Sequence, residues 1–383
     1  MKLLFLSSEG AEPGVIAIFR FMERNRKVAL AAVLLAFCVL IRVYSADEAR
    51  AEAGYSREFF PYLAVTLRYL FGFLPFSIGD IIYGLVVGWL VMKLNRYFFY
   101  IYRQKVRPTP LKTVRRYGYQ FFILVCSMYI IFNVAWGINY NRKGIAWQLG
   151  LPETTYNPEQ LREMNCLLID KINASKQALV DNKARYPSNK ELFKKLVDAY
   201  KNLGDSLPFL AYRQPSIKKS LWGKLGNYAG FTGYYNPFTG EAQLNTRVPK
   251  FLQPYTACHE VAHQLGYAKE NEANFVGFLA AVASDDTLFH YSVYLDMFTY
   301  ANRNLFETDS TAAKLYRKDL IPSVKADIKE WIAFNQKHRS ILEPAYRWIY
   351  GKFLQSNEQP GGIKSYSEVT GFLIAYYKKH GTI

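Results

Sequence analysis

The first third of the chain alternates long apolar runs with short polar or basic stretches. The apolar runs cover residues 28–44, 78–96 and 117–139, each long enough to cross a bilayer as a helix once its flanks tilt inward. The aromatic stretch 59–77 is broken by proline and glycine, so we expect it to lie at the membrane interface. The pattern predicts a membrane anchor at residues 1–141 with about three transmembrane helices.

Basic residues are distributed unevenly around these runs. Residues 1–143 hold 19 Lys and Arg against 8 Asp and Glu, whereas the remainder holds 29 against 23. One cluster precedes the first run and another separates the second from the third: Arg20, Arg24, Arg26, Lys27, then Lys93, Arg96, Arg103, Lys105, Arg107, Lys112, Arg115 and Arg116. The positive-inside rule places both clusters in the cytoplasm. We therefore expect a multi-pass protein of the bacterial inner (cytoplasmic) membrane, with residues 142–383 on the periplasmic or outer side.

This charge distribution favours the membrane lipid bilayer as a partner over nucleic acid. A nucleic-acid-binding protein would carry its basic face on the soluble part, and here most of the surplus charge flanks the apolar runs. No Gly-rich nucleotide-binding fingerprint is present either. The sequence thus predicts no nucleic-acid partner, and it leaves the oligomeric state open.

The centre of the remaining chain is a His-Glu-Val-Ala-His segment, which matches H-E-x-x-H. Because His259 and His263 are one helical turn apart on the same face, both imidazoles can reach one metal ion. Glu260 follows the first histidine directly, beside the water that it would deprotonate. Neutral imidazole suits zinc, so zinc is the predicted cofactor.

The third ligand is expected just beyond this helix. Gly266 is placed to end the helix, and Lys269 occupies the position where a metzincin would have its third histidine. The next candidates are Glu270 and Glu272. We favour Glu270, because Glu-x-x-Ala-Asn over residues 270–274 resembles the E-x-x-A-D/N segment of Glu-ligated zinc peptidases, in which the acidic residue binds zinc and the last residue supports a ligand histidine.

An H-E-x-x-H match also arises by chance. This chain has only five histidines, however, and two of them fall at ligand spacing around a glutamate. A zinc peptidase also needs a donor for the oxyanion of its tetrahedral intermediate. His290 and Tyr291 are candidates for that role, although core or surface packing is the more common role for any one such residue in a chain with 30 tyrosines.

The elements around the motif indicate a mainly α fold. Helices are predicted over residues 157–182, 188–203 and 275–283, and residues 241–245 alternate like a short strand. Such a strand is either an edge that pairs with an extended peptide substrate or a plain structural hairpin. The predicted architecture is a set of transmembrane helices followed by a mostly helical, zincin-like soluble domain at 142–383, with a small β element before the motif helix.

Four segments carry a resemblance to a known family: Pro75–Asp80, Trp136–Tyr140, Asn236–Ala242 and His259–Phe275. Together they make the chain similar to bacterial membrane proteins of the family called domain of unknown function 3810. The resemblance implies membrane anchoring and the metal motif, without a substrate.

The sequence therefore predicts a membrane-anchored zinc metallopeptidase, gluzincin-like, that hydrolyses envelope proteins or peptides. One alternative is a non-proteolytic envelope scaffold or sensor whose zinc is structural or whose site is a relic. The other is a zinc hydrolase of a small envelope molecule, for which a closed apolar pocket would be typical. A structural zinc has four protein ligands, whereas a catalytic zinc keeps a position open.

Overall fold

The computed structural model describes residues 13–103, 111–151, 154–362, 365 and 368–383. Over these residues the protein is mostly helical, with one small three-stranded sheet. The predicted mainly α class, with a small β element before the motif helix, is confirmed at this level. Lys105 and Arg107 of the second basic cluster lie outside the described residues.

Three N-terminal helices are long and apolar enough to cross a membrane. They are α1 (Pro13–Ser45), α4 (Ile78–Arg103) and α5 (Leu111–Ala135), and their apolar stretches are Asn25–Ser45, Ile78–Arg96 and Val114–Ala135. Few residues of these stretches are buried within the protein, as expected for helices that are surrounded by lipid. The third helix ends at Ala135, four residues before the predicted end, because the backbone turns at Trp136 into a 3₁₀ segment.

The aromatic stretch between the first two spans forms an amphipathic helix. A short α2 (Glu48–Arg50) leads into a π-helical segment (Ala51–Phe59), and this continues as α3 (Phe60–Gly72). The side chains at the four-residue spacing of Phe60, Ala64 and Arg68 are buried, while the opposite face is exposed. Thus α3 packs one face against the rest of the protein.

Eleven further helices follow in the described part of the chain: α6 (Gly144–Gln148), α7 (Pro158–Asp181), α8 (Asn189–Ser206), α9 (Gly223–Ala229), α10 (Gln253–Gln264), α11 (Glu270–Val282), α12 (Thr287–Thr308), α13 (Ser310–Tyr316), α14 (Pro322–Lys337), α15 (Leu342–Ser356) and α16 (Val369–His380). Asn157 and Ser188 begin α7 and α8 with capping boxes, which confirms the predicted helix starts. The main core is built from α7, α8, α10, α11 and α12. Every residue of α10, the motif helix, is buried.

The sheet consists of β1 (Ile217–Lys219), β2 (Gly233–Asn236) and β3 (Glu241–Leu244), in the order β1-β3-β2. β3 pairs in parallel with β1 and antiparallel with β2, and all four of its residues are buried. Of the two predicted possibilities for residues 241–245, the edge strand is therefore wrong, and the structural hairpin, formed by β2 and β3, is confirmed. The edge strand nearest the motif helix is β2.

Glu241 of β3 fixes the sheet to the start of α4. Its carboxylate accepts hydrogen bonds from the N–H groups of Ile78 (3.2 Å) and Gly79 (2.7 Å) and from the Ser77 hydroxyl (3.2 Å). Lys218 lies 2.7 Å from the same carboxylate and neutralises it. Unpaired N–H groups and the helix dipole favour an anion at this position. One buried acidic group thus joins a candidate span to the sheet.

Candidate metal centre

The helix α10 brings the two motif histidines together. The ring centroids of His259 and His263 are 4.7 Å apart, as the four-residue spacing predicts. The neighbouring α11 approaches closely at Gly277, where an added Cβ would lie 3.0 Å from the backbone nitrogen of His259. This close approach needs glycine, and it sets the depth at which α11 lies against the histidines.

The chain then turns at Gly266, which has φ +87° and ends the helix as predicted. Glu270 is the first residue of α11, and its Oε2 atom lies 3.3 Å from Nε2 of His259 and 3.7 Å from Nε2 of His263. The structure therefore brings three of the sequence-predicted residues to one point.

The tautomer of His263 bears on whether a cation can bind between the two histidines and Glu270. Its Nδ1 lies 2.7 Å from the Tyr267 carbonyl oxygen, which can only accept, so Nδ1 carries a proton and donates. In the neutral ring, Nε2 then presents a lone pair toward the Glu270 carboxylate. Lone pairs that face a buried carboxylate repel it unless a cation lies between them. Two imidazoles and one carboxylate are also the ligand set of catalytic zinc sites, so these residues fit a zinc ion.

The charges of these groups depend on burial and on each other. Burial acts to raise the pKa of Glu270, but the neighbouring His259 and His263 rings outweigh burial and hold that pKa well below its ordinary value. Burial lowers the pKa of His259. For His263 the contact with Glu270 overcomes the effect of burial and raises the pKa. The cluster thus keeps Glu270 ionised.

Glu260 is the second carboxylate beside the histidines. Its oxygen and the ligand atoms of both histidines lie within 4.8 Å of one another. Burial raises the pKa of Glu260 to about 8, and its Oε2 has no hydrogen-bond partner among the described residues. The distances favour Glu270 as the ligand, because its oxygen faces both Nε2 atoms, and leave Glu260 beside the metal position. That is the arrangement expected of a general base.

The structure does not bring Glu272 to the histidines. Its side chain points toward Gly144, where an added Cβ would lie 1.8 Å from Oε1. Burial raises the pKa of Glu272, which lies near Arg142 on the other side of α11. As predicted from helical geometry, the two glutamates of α11 face different ways.

Several contacts hold the ligands in place. The Asn274 side chain hydrogen-bonds the His259 ring, and the Tyr255 hydroxyl donates to Asn274 Oδ1 at 2.9 Å. This is the supporting role predicted for Asn274. The Tyr350 hydroxyl of α15 donates to Glu270 Oε1, leaving Oε2 for the histidines. Partners of this kind orient metal ligands and raise their basicity.

Three donors from residues 68–142 bind backbone carbonyls at and just after the end of α10. Trp136 Nε1 donates to the His263 carbonyl at 3.3 Å, an Arg68 nitrogen to that of Gln264 at 3.0 Å, and Arg142 to that of Gly266 at 3.1 Å. The last four carbonyls of a helix have no partner within the helix, so these donors fix its end. Sequence reasoning missed them. The one available signal was Arg68, a lone charge in an aromatic stretch.

His290 and Tyr291, the predicted oxyanion donors, do not reach the cluster. The His290 ring lies against the carbonyl oxygens of Val282 (3.2 Å) and Ser284 (2.7 Å), just beyond α11. The Tyr291 hydroxyl donates to Asp327 at 2.5 Å. Neither residue lines the cavity over the site. Their residue types suit an oxyanion donor, but helix α12 orients both side chains away from the His–Glu cluster.

A cavity of about 1020 Å³ covers the cluster. Its lining includes His259, Glu260, His263 and Glu270, and it is rich in aromatic side chains: Tyr83, Phe132, Trp136, Tyr140, Phe231, Tyr234, Tyr235, Tyr346, Tyr350 and Phe353. The Tyr235 hydroxyl is buried without a hydrogen-bond partner among the described residues. Tyr235 belongs to the edge strand β2, and its ring packs 5.4 Å from that of Trp136, which lies 5.9 Å from His263. An unused donor therefore lies in the same cavity as the histidines.

Comparison with known proteins identifies the family of this chain. No curated protein and no solved structure matches it significantly. The model of one family, described as "Protein of unknown function (DUF3810)", matches residues 55–374, which include the second and third candidate spans and the whole His–Glu cluster. The match covers most of the chain, and the chain belongs to this family of proteins of unknown function.

Proposed function

We propose that the protein is a membrane-anchored, zinc-dependent metallopeptidase of the gluzincin type. The observation that carries this proposal is the position of Glu270 Oε2, 3.3 and 3.7 Å from Nε2 of the two motif histidines, with Glu260 beside them. His259, His263 and Glu270 would supply three ligands, and the cavity that they line lies over them. A catalytic zinc has such a set of three ligands and an open fourth position.

Each residue has a defined role in peptide hydrolysis. Zinc, when bound, lowers the pKa of a water molecule and polarises the substrate carbonyl. Glu260 would act as the general base: its unpartnered Oε2 would take a proton from the attacking water and pass it to the leaving amine. The Tyr235 hydroxyl is the candidate donor to the oxyanion, because it is buried, unpaired and in the same cavity.

The edge strand β2 is the proposed binding surface for an extended peptide. An added Cβ at Gly233 would lie 2.5 Å from Glu260 Oε1, so the start of β2 runs directly past the general base. Within the described sheet β2 has β3 on one side only. A peptide that pairs with its other side would be bound through main-chain hydrogen bonds, with little dependence on its side chains.

We place the catalytic part outside the cytoplasm of a bacterial cell. Support comes from the basic residues that flank the three candidate spans and from the positive-inside rule. The substrates would then be proteins or peptides of the cell envelope.

The test is the Glu260→Gln variant of the full chain, purified in detergent. This variant keeps the size of the side chain but cannot accept a proton, so zinc content should be unchanged and cleavage of a mixed fluorogenic peptide library should disappear. His263→Ala should lose both zinc and cleavage. Undiminished cleavage by Glu260→Gln would refute the assigned role.

A second candidate function is hydrolysis of a small amphiphilic molecule of the envelope. The aromatic lining of the cavity favours it, because apolar walls suit an acyl or other apolar group. Release of products from lipid extracts, with no cleavage of any peptide, would select this function over the peptidase.

A further inference from the structure

One cavity connects the His–Glu cluster with the candidate spans. Its lining contains both motif histidines and also Tyr83 of α4 and Phe132 of α5. The last two lie within the apolar stretches Ile78–Arg96 and Val114–Ala135. The space over the His–Glu cluster therefore continues to residues of two candidate spans.

Helix α15 forms the wall on this side. Tyr346, Tyr350 and Phe353 recur at helical spacing and line the cavity. The Phe353 ring packs edge-on against Phe132 of the third span, with centroids 5.9 Å apart. On the same face, Tyr350 donates to Glu270. The inner face of α15 thus contacts a ligand residue and a candidate span at once.

The outer face of α15 is apolar and exposed. Trp348 is 67% exposed and Ile349 is 61% exposed, and Ile341 just before the helix is 89% exposed. Arg347 and Lys352 lie among them and are also exposed. Tryptophan beside aliphatic and basic side chains is typical of helices that lie in the membrane interface.

A second exposed apolar surface joins this face to the spans. It is formed by residues of and before α9, which packs against α15: Leu221, Trp222, Leu225 and Tyr228. The Trp222 ring lies over Gly84 of α4, where an added Cβ would be 2.9 Å away, and its Nε1 donates to the Asp80 carbonyl at 3.1 Å. The apolar surface thus adjoins a candidate span. A lipid bilayer that surrounds the span would also cover this surface.

From these contacts we infer that the substrate is a polypeptide held in the bilayer by an apolar anchor, and that it reaches the site from the membrane side, past α15. This inference rests on the proposed peptidase function and names its substrate class. The anchor stays in the bilayer, and the adjoining peptide segment passes between α15 and the spans to β2. Because α15 lies in the interface, it positions the opening of the cavity at the depth where such a segment leaves the lipid.

The test uses the full-length Glu260→Gln protein in phosphatidylethanolamine–phosphatidylglycerol vesicles. The probes are one peptide that carries a benzophenone amino acid, the same peptide with an N-terminal palmitoyl chain, and the same peptide fused to a transmembrane helix. Both anchored probes should crosslink to α15 and β2 at least about tenfold more than the free peptide. A crosslink from the palmitoylated peptide alone would indicate an acyl anchor, and one from the fused peptide alone would indicate a membrane-spanning anchor.

Matched variants separate a specific route from simple enrichment at the membrane. The double variant Trp348→Ser/Ile349→Ser removes apolar contact with lipid and should reduce crosslinking of the anchored probes about tenfold. Val180→Ser, at a valine that is 50% exposed on α7, should leave it unchanged. Equal crosslinking in the Glu260→Gln protein, the double variant and the Val180→Ser variant would overturn the inference. Crosslinks found only outside the cavity lining would overturn it as well. Complete displacement of the probes by lysophospholipid would overturn the polypeptide assignment in favour of a lipid.

Cleavage by the wild-type protein is measured separately with the same probes. Crosslinks at α15 without cleavage of any probe would count against the peptidase but not against the membrane route. Cleavage of the free peptide at the rate of the anchored ones would support the peptidase and refute the route.

Discussion

The position of Glu270 predicts that zinc affinity depends on this residue and not on its neighbour Glu272. In Glu270→Gln the neutral amide oxygen replaces the carboxylate that faces both Nε2 atoms at 3.3 and 3.7 Å. Loss of a partner that only orients a ligand lowers metal affinity 10–100-fold. Loss of the anionic ligand itself should exceed that range, so we expect zinc to bind more than about 100-fold more weakly, which is about 2.7 kcal/mol.

Glu272→Gln is the matched control. Glu272 lies on the same helix, and both carboxyl groups are buried. Burial raises the pKa of Glu272, whereas the pKa of Glu270 is lowered by the histidines. The amide resembles the protonated carboxyl that burial favours at Glu272, so this variant should bind zinc as the wild type does.

The assay is competition for zinc with a chromophoric chelator, on full-length protein in detergent. Thermal unfolding of the metal-free proteins is recorded alongside, so that lost affinity can be separated from lost folding. Wild-type affinity in Glu270→Gln, or a loss confined to Glu272→Gln, would show that the ligand was assigned to the wrong carboxylate.

Three further predictions concern groups around the cluster. Tyr235→Phe should lower kcat about 10²–10³-fold while zinc content stays the same, and unchanged kcat would exclude the oxyanion role. Arg142→Met removes the guanidinium that lies 3.0 and 3.1 Å from the buried Glu52 carboxylate, which then keeps Arg57 and Gln148 as partners; chemical unfolding should show a loss of about 1.5–3 kcal/mol, with partial recovery in Arg142→Met/Glu52→Gln. Burial acts to raise the pKa of Glu52, but Arg142 outweighs it and lowers that pKa below 4.5. The stabilisation from Glu52 is therefore complete above pH 4.5 and is lost as the pH falls through the lower folded-state value, so Glu52→Gln should lose less unfolding free energy than the wild type on acidification.

Local geometry explains which parts of the site were predictable. The positions of His259 and His263 follow from helical spacing, and Gly266 marks the turn that returns the chain to them. Glu270 and Asn274 then share a face of the next helix. All of these residues lie within one short stretch, where the period of the helix decides which side chains meet.

The remaining parts depend on contacts between distant segments. Tyr350 is 80 residues from Glu270, and Trp136 is 127 residues from the carbonyl that it contacts. No local pattern in a single sequence indicates such pairs. The same limit explains His290 and Tyr291, which have suitable side chains but lie on a helix whose packing turns them away. The central position of β3 was missed because alternation over a few residues does not distinguish an edge strand from a central one.

Hydrogen bonds cross the domain boundary that the sequence predicts at residue 141. The end of α10 is held by Arg68, Trp136 and Arg142, which come from the predicted anchor or its border. The sheet is fixed to α4 through Glu241. A fragment that begins at residue 143 would leave the carbonyls of Gln264 and Gly266 without their donors, whereas that of His263 would keep the Gly266 N–H; each unsatisfied buried group of this kind destabilises a fold by about 1–3 kcal/mol. The candidate spans and the His–Glu cluster therefore form one structural unit, and the orientation of the histidines depends on residues next to the candidate spans.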